Sequence, residues 1–303
     1  MKYLKKNYLF LIFFAFCLTL VLISNYRIDT ISKNNKLAFQ EKIKYCQEKI
    51  DDLDLEEREK CERFIGVGDI ETRKEFYEKY DFMFSFEMSY FAILASLILI
   101  TLSLQEVTKV FRDKVSLLML KRENYFSFIK KIFLNAYKYI WFWPLIVLII
   151  IFCALNNSYF DPITSTQNAI WPIALMNKPF LFFALYILNI LLISGLYINI
   201  GLIIARYKHN YVVAVILSFL TVIAIELFFE IVVSGLFFGN LLHNYDAGLI
   251  FNIINLFVFN IAEANGVFNL LLFSFSCFFI SFIIVCLCYK SKEKLVIDCE
   301  KNN

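Results

Sequence analysis

The chain is 303 residues long, 60% hydrophobic and 18% aromatic, with a mean hydropathy of +0.64, far more apolar surface than one soluble core needs to hide. A bilayer is therefore the expected solvent, and a soluble globular domain is excluded as the starting assumption. The net charge of +3 is too small to argue for nucleic acid, and no C-x-x-C or Cys/His cluster marks a metal site.

Apolar runs near 8–24, 82–104, 140–155, 179–205, 211–238 and 265–289 predict an all-α integral membrane protein with six transmembrane helices. Residues 1–25 read as a cytoplasmic N-terminus and first span. The opening MKYLKKN precedes no small-x-small cleavage site, and Phe16 before Cys17 is a poor lipobox, so this span is expected to remain as an anchor. Residues 26–80 form an extracellular loop dense in mixed charge and free of proline. Opposite charges three and four apart, such as Glu41 with Lys44 and Glu56 with Lys60, predict a solvated helical hairpin. Cys46 and Cys61 lie in this loop, on the side where disulfides persist. They are read either as a pair, worth on the order of 3 kcal/mol for a loop of this length, or as two free thiols.

Residues 81–105 hold the second span, and 106–139 a cytoplasmic loop. In that loop Val107, Val110, Phe111, Val115, Leu118 and Met119 share one helical stripe, which describes an amphipathic helix on the membrane face. After a polar break, KREN, a second amphipathic stretch from Tyr125 to Tyr139 runs into an aromatic belt at Trp141 and Trp143, with Pro144 able to kink it. Residues 140–289 carry spans three to six with short loops. The run 248–262 contains three asparagines and would rise only about 22 Å as a helix, so a re-entrant segment before span six is expected. Residues 290–303 are a tail. Lysines and arginines gather before span one, in 106–138, after span four at Arg206 and Lys208, and after span six. The loops 156–178 and 239–264 hold only Lys178, which places both termini in the cytoplasm.

Glu226 and Glu230 stand four apart in the fifth span, about 22 and 28 Å along its axis from Tyr211. Two full charges so close in a poor dielectric would repel, so one is expected to be protonated or paired. One reading places them on a substrate path or subunit seam. The other has Glu230 snorkelling to the outer headgroups and Glu226 hydrogen-bonded to Asn189 or Asn199. The stretch IELFFEIVVSG superficially resembles the EELFFRG helix of intramembrane CAAX-type proteases. Ile225 replaces the first glutamate of that motif, Glu230 stands where its arginine belongs, and His209 and His243 fall in loops on opposite faces. Neither H-E-x-x-H nor G-x-S-x-G occurs, and the chain is not read as an enzyme.

Together the six spans, the segment 105–131, the short loop RYKHN and the run before span six resemble an ABC-2 type permease subunit of an ATP-binding-cassette exporter. The family's glutamate after span two, its basic break and its return-helix lysine match Glu106, Lys121 with Arg122, and Lys130 or Lys131. Its glycine and threonine after the glutamate and its proline before the break have no counterpart, because Phe111, Arg112, Asp113 and Leu120 stand there. The resemblance implies a coupling helix over 107–120, with Glu106, Phe111, Arg112, Lys114, Lys121 and Arg122 meeting an ATP-binding subunit on the cytoplasmic side. No P-loop motif is present, so ATP and Mg belong to that partner, and this chain is expected to carry no cofactor. A second permease copy or homologue is implied as well. The activity implied is outward movement of an amphipathic or hydrophobic substrate, such as a peptide or bacteriocin, across a bacterial plasma membrane. The alternative is a non-transporting sensor or immunity protein that binds peptides through its outer loop.

Overall fold

A computed structural model describes residues 8–49, 58, 61, 74–75, 79, 89–112, 124–156, 158–159, 178–244, 248, 251 and 266–293. In hydrocarbon no water can satisfy the backbone, so apolar runs close their hydrogen bonds within helices. The helices are α1 (Tyr8–Lys49), α2 (Ser89–Arg112), α3 (Tyr125–Tyr137), α4 (Phe142–Leu155), α5 (Pro179–Tyr207), α6 (Tyr211–Leu227), a π-helix π1 (Phe228–Leu241) and α7 (Gly266–Cys288). Besides these helices the described residues include two-residue strands β1 (Lys74–Glu75) and β2 (Ser158–Tyr159), paired in parallel with Lys74 opposite Ser158. Among the described residues six candidate spans are long and apolar enough to cross a membrane: Tyr8–Ile31, Leu94–Phe111, Tyr125–Leu155, Phe180–Tyr207, Tyr211–Leu241 and Phe268–Cys288.

Local chemistry sets the helix ends. Asn210 caps α6, its side chain accepting from the backbone N–H groups of Val212 and Val213 at 3.0 and 3.4 Å, and Asn124 caps α3 through Phe126 at 3.4 Å. Proline at the first position of α5 gives up only an N–H that has no partner within the helix. Within spans, Thr108, Ser218 and Thr221 donate to carbonyls four residues back, at 2.6 to 2.8 Å, and so carry their hydroxyls into an apolar surrounding satisfied.

The chain divides into two units. In the larger, made of residues 1–16, 88–148 and 170–303, α5 is the central helix and packs against α2, α3, α6 and α7. It fits tightly to α7 at Gly195, where an added Cβ would collide with the ring of Phe278. Gly201 likewise receives Leu104 of α2. Near the start of α1, Phe10 and Phe14 meet Phe142 edge-on at 5.5 and 6.4 Å.

Two boundaries differ from the sequence expectation. Helix α2 does not stop at 105 but runs to Arg112, burying Val107, Thr108 and Phe111. The third candidate span starts at Tyr125, and α3 within it buries Phe128, Ile129, Ile132 and Ala136 against its neighbours. An apolar stripe looks the same in sequence whether lipid headgroups or other helices cover it. Of the expected belt, Trp141 is exposed, whereas Trp143 is buried and donates to the Ala95 carbonyl at 3.2 Å, tying α4 to α2.

The smaller unit comprises residues 17–87 and 149–169. In it α1 continues unbroken to Lys49, and Cys46 is bonded to Cys61, with an S–S distance of 2.01 Å and a Cα–Cα distance of 5.3 Å. Of the two readings of these cysteines, the structure has the pair. Lys79 is 1% exposed; its ammonium contacts Asp29 Oδ1 of α1 at 3.2 Å and the carbonyl of Asn156. Of the expected hairpin, residues 50–57, 59–60, 62–73, 76–78 and 80 lie outside the described residues, as do 249–250 and 252–262 of the expected re-entrant run. Phe251, from the same run, stacks on Phe238 of π1 at 4.9 Å and meets Phe273 of α7 edge-on at 5.0 Å.

Candidate functional site

Helix α6 turns one stripe inward, Ala214, Ser218, Val222 and Glu226, and packs it against α2 and α5. Spacing by four residues keeps these positions on one face, so the first glutamate of the fifth span is carried into the bundle and is 7% exposed. The Tyr197 hydroxyl of α5 donates to Glu226 Oε1 at 3.4 Å. Glu230, in the first turn of π1, is exposed. The structure thus separates the pair: one carboxylate is packed among helices and the other is at the surface.

The expected partners of Glu226 are engaged elsewhere. Asn189 Oδ1 accepts from Ser274 at 2.5 Å. Asn199 accepts from the Tyr137 hydroxyl and donates to Ser281 Oγ at 2.8 Å and to the Phe278 carbonyl at 3.4 Å, linking α3, α5 and α7. Tyr197 was missed because a tyrosine in an apolar run reads as bulk. The available signal was that a buried phenol needs a polar partner. Because Asn199 is fully buried, Asn199→Leu should strand the Tyr137 hydroxyl and cost about 1–3 kcal/mol. Adding Tyr137→Phe should recover most of that loss, which thermal unfolding of the two variants in detergent would measure.

A second constellation lies where α2, α5 and α7 end and α3 begins. Phe111, fully buried, stacks on His209 at 5.3 Å and meets Tyr289 at 6.4 Å. The Tyr289 hydroxyl donates to the Leu202 carbonyl at 3.0 Å, and its own carbonyl accepts from the Tyr125 hydroxyl at 2.5 Å. Arg206, 2% exposed, donates from Nε to the Cys288 carbonyl at 3.3 Å, fixing the end of α5 to the end of α7.

No family model, curated protein or solved structure matches this chain.

Of the expected coupling residues, Glu106 is half-buried on α2, Phe111 is at the centre of the aromatic cluster, and Arg112 ends α2. Lys114, Lys121 and Arg122 lie outside the described residues. Among the described residues no group of three or more His, Cys, Asp or Glu side chains is placed to hold a metal ion. Chemically, a buried carboxylate beside a phenol offers a binding point for a cation or a proton inside an apolar span. The cluster around Phe111 offers a mechanical junction between span ends.

Proposed function

We propose that the chain is the membrane-spanning half of an ATP-driven exporter with an ABC-2 layout, including an outer helical hairpin at 26–80 and a re-entrant segment at 248–262. It pairs with a second copy or a related permease in a bacterial plasma membrane, both termini facing the cytoplasm, and receives its ATP-binding subunit on the segment that follows α2. The observation that carries the reading is the anchoring of Phe111 on His209 and Tyr289. A force applied just beyond Arg112 enters a packed aromatic cluster and reaches the ends of α5 and α7 together, which suits rigid-body coupling. Glu226 supports cargo of amphipathic or cationic character, since a carboxylate on an inward stripe is where such a molecule would find a partner.

The test uses the full, epitope-tagged chain purified from its native membrane. An ATP-binding-cassette protein should co-purify with it and hydrolyse ATP, and Lys121→Glu with Arg122→Glu should abolish both signals while leaving the melting temperature unchanged. In the same preparation, Glu226→Gln should keep the associated ATPase yet lose its stimulation by cargo. A wild-type preparation without associated ATPase, or an unchanged association in the double variant, overturns the reading.

The second reading, a peptide-binding sensor or immunity protein, is favoured by one feature, the disulfide that ties the end of α1 to Cys61. It predicts peptide binding that survives the charge reversal and disappears in Cys46→Ser.

A further inference from the structure

Helices α3 and α7 are tied to each other at two places and open between them. At one end the Tyr125 hydroxyl holds the Tyr289 carbonyl, and Phe133 meets the Tyr289 ring edge-on at 5.5 Å. Deeper in the bundle the chain of contacts from Tyr137 through Asn199 to Ser281 closes the gap again. Between the ties lies a cleft of about 390 Å³, within the range of about 300–1,000 Å³ that ligand sites occupy. One wall is a stripe of α3 with Phe126, Ile129, Phe133 and Leu134, and the other is Phe282 and Cys286 of α7. Phe126 and Leu134 are 76% and 61% exposed and open this side of α3, while Ile129 is shared with the face that α3 buries against the bundle.

Lys130 belongs to the same lining. Side chains on a helix lean toward its N-terminus, here the Tyr125 end, where Lys208 and Lys290 are also exposed. A lysine one to two turns inside a span lays its stem along apolar surface and lifts its ammonium to headgroup level. The cleft is therefore a greasy slot with a positive charge at its mouth.

The dimensions and chemistry discriminate among occupants. An extended peptide would bring backbone polar groups into a slot with an apolar lining, where they would go unsatisfied. A helix of a second copy, about 10–12 Å across, would fill this volume with roughly one turn. A hydrocarbon chain carries no polar group into the slot, and a phosphate at its head completes the charge of Lys130. We propose that the cleft between α3 and α7 is a binding site for an anionic phospholipid, one acyl chain lying between Phe133 and Phe282 and the phosphate resting on Lys130. The cleft is lined by neither Glu226 nor Phe111, so a failed lipid assay leaves the transport reading standing.

The experiment places a reporter at the exposed wall. The full chain carrying Leu134→Trp is reconstituted in vesicles of phosphatidylcholine containing a minor fraction of dibrominated phosphatidylglycerol or, in parallel, dibrominated phosphatidylcholine. Fluorescence is corrected with the wild-type protein. The brominated anionic lipid should quench at about one-fifth the mole fraction that the zwitterionic lipid needs, since one lysine beside an anionic headgroup contributes ~1 kcal/mol. Adding Lys130→Gln should erase that preference, Lys130→Arg should keep it, and Lys178→Gln, at the opposite end of α5, should leave it intact. Equal quenching by the two lipids means ordinary solvation and overturns the proposal. Absence of quenching by either lipid, together with oxidative cross-linking of Cys286 between copies, means a second protomer fills the slot and also overturns it. Monitoring the melting temperature of each variant separates a lost lipid from a lost fold.

Discussion

Asp29→Ala is expected to destabilise the protein by about 3–5 kcal/mol, the cost of leaving a buried charge without its counter-ion. Lys79 is 1% exposed and, among the described residues, contacts Asp29 of α1, 3.2 Å away, and the Asn156 carbonyl. With Asp29 gone, its ammonium keeps the Asn156 carbonyl, a neutral acceptor, and no anion among the described residues. The same logic gives the control. Asp29→Leu with Lys79→Met removes both charges and keeps apolar volume, so it should unfold close to wild type, as replaced ion pairs often do. Thermal unfolding in detergent of the two single variants and the double variant measures the coupling. Single variants as stable as the double would show that the pair contributes nothing.

Cys46→Ser is expected to cost about 3 kcal/mol, from the freedom returned to a loop whose ends lie 15 residues apart. Cys17, Cys153, Cys277, Cys286 and Cys288 are free thiols, so a reductant applied to wild type has one bridge to open among the described residues. Reduction should therefore lower the wild-type melting temperature to that of the variant and leave the variant unmoved. Asp29 and Cys46 are 17 positions apart on one helix, about 26 Å, so the losses from Asp29→Ala and Cys46→Ser should add to within about 0.5 kcal/mol. A marked departure would mean that the two ties hold one cooperative segment.

The spans were legible because hydropathy reports what a residue does to water, and a run of twenty such residues has one economical solution in lipid. What covers each face was not legible. Val107, Thr108 and Phe111 have the same period whether headgroups or other helices cover them, and only the fold shows Phe111 against His209. Glu226 announced itself through its charge, but its partner did not, since Tyr197 is 29 positions away in a stretch that reads as apolar. Lys79 sits in a run of mixed charge, where a lysine normally means solvent, yet it is among the most buried side chains described. The switch to π geometry at Phe228 has no side-chain signature. It is written in backbone bonds such as that from the Leu242 N–H to the Phe237 carbonyl, five residues back, at 3.0 Å.

The first candidate span ends at Ile31, but α1 continues to Lys49, about 27 Å further at 1.5 Å per residue. Such a mast amplifies what happens at its foot: leaning the rod by 10° sweeps its tip sideways by about 5 Å, given that length. Cys46 is placed near the tip, so whatever grasps the disulfide-tied segment has a long moment arm on the first span.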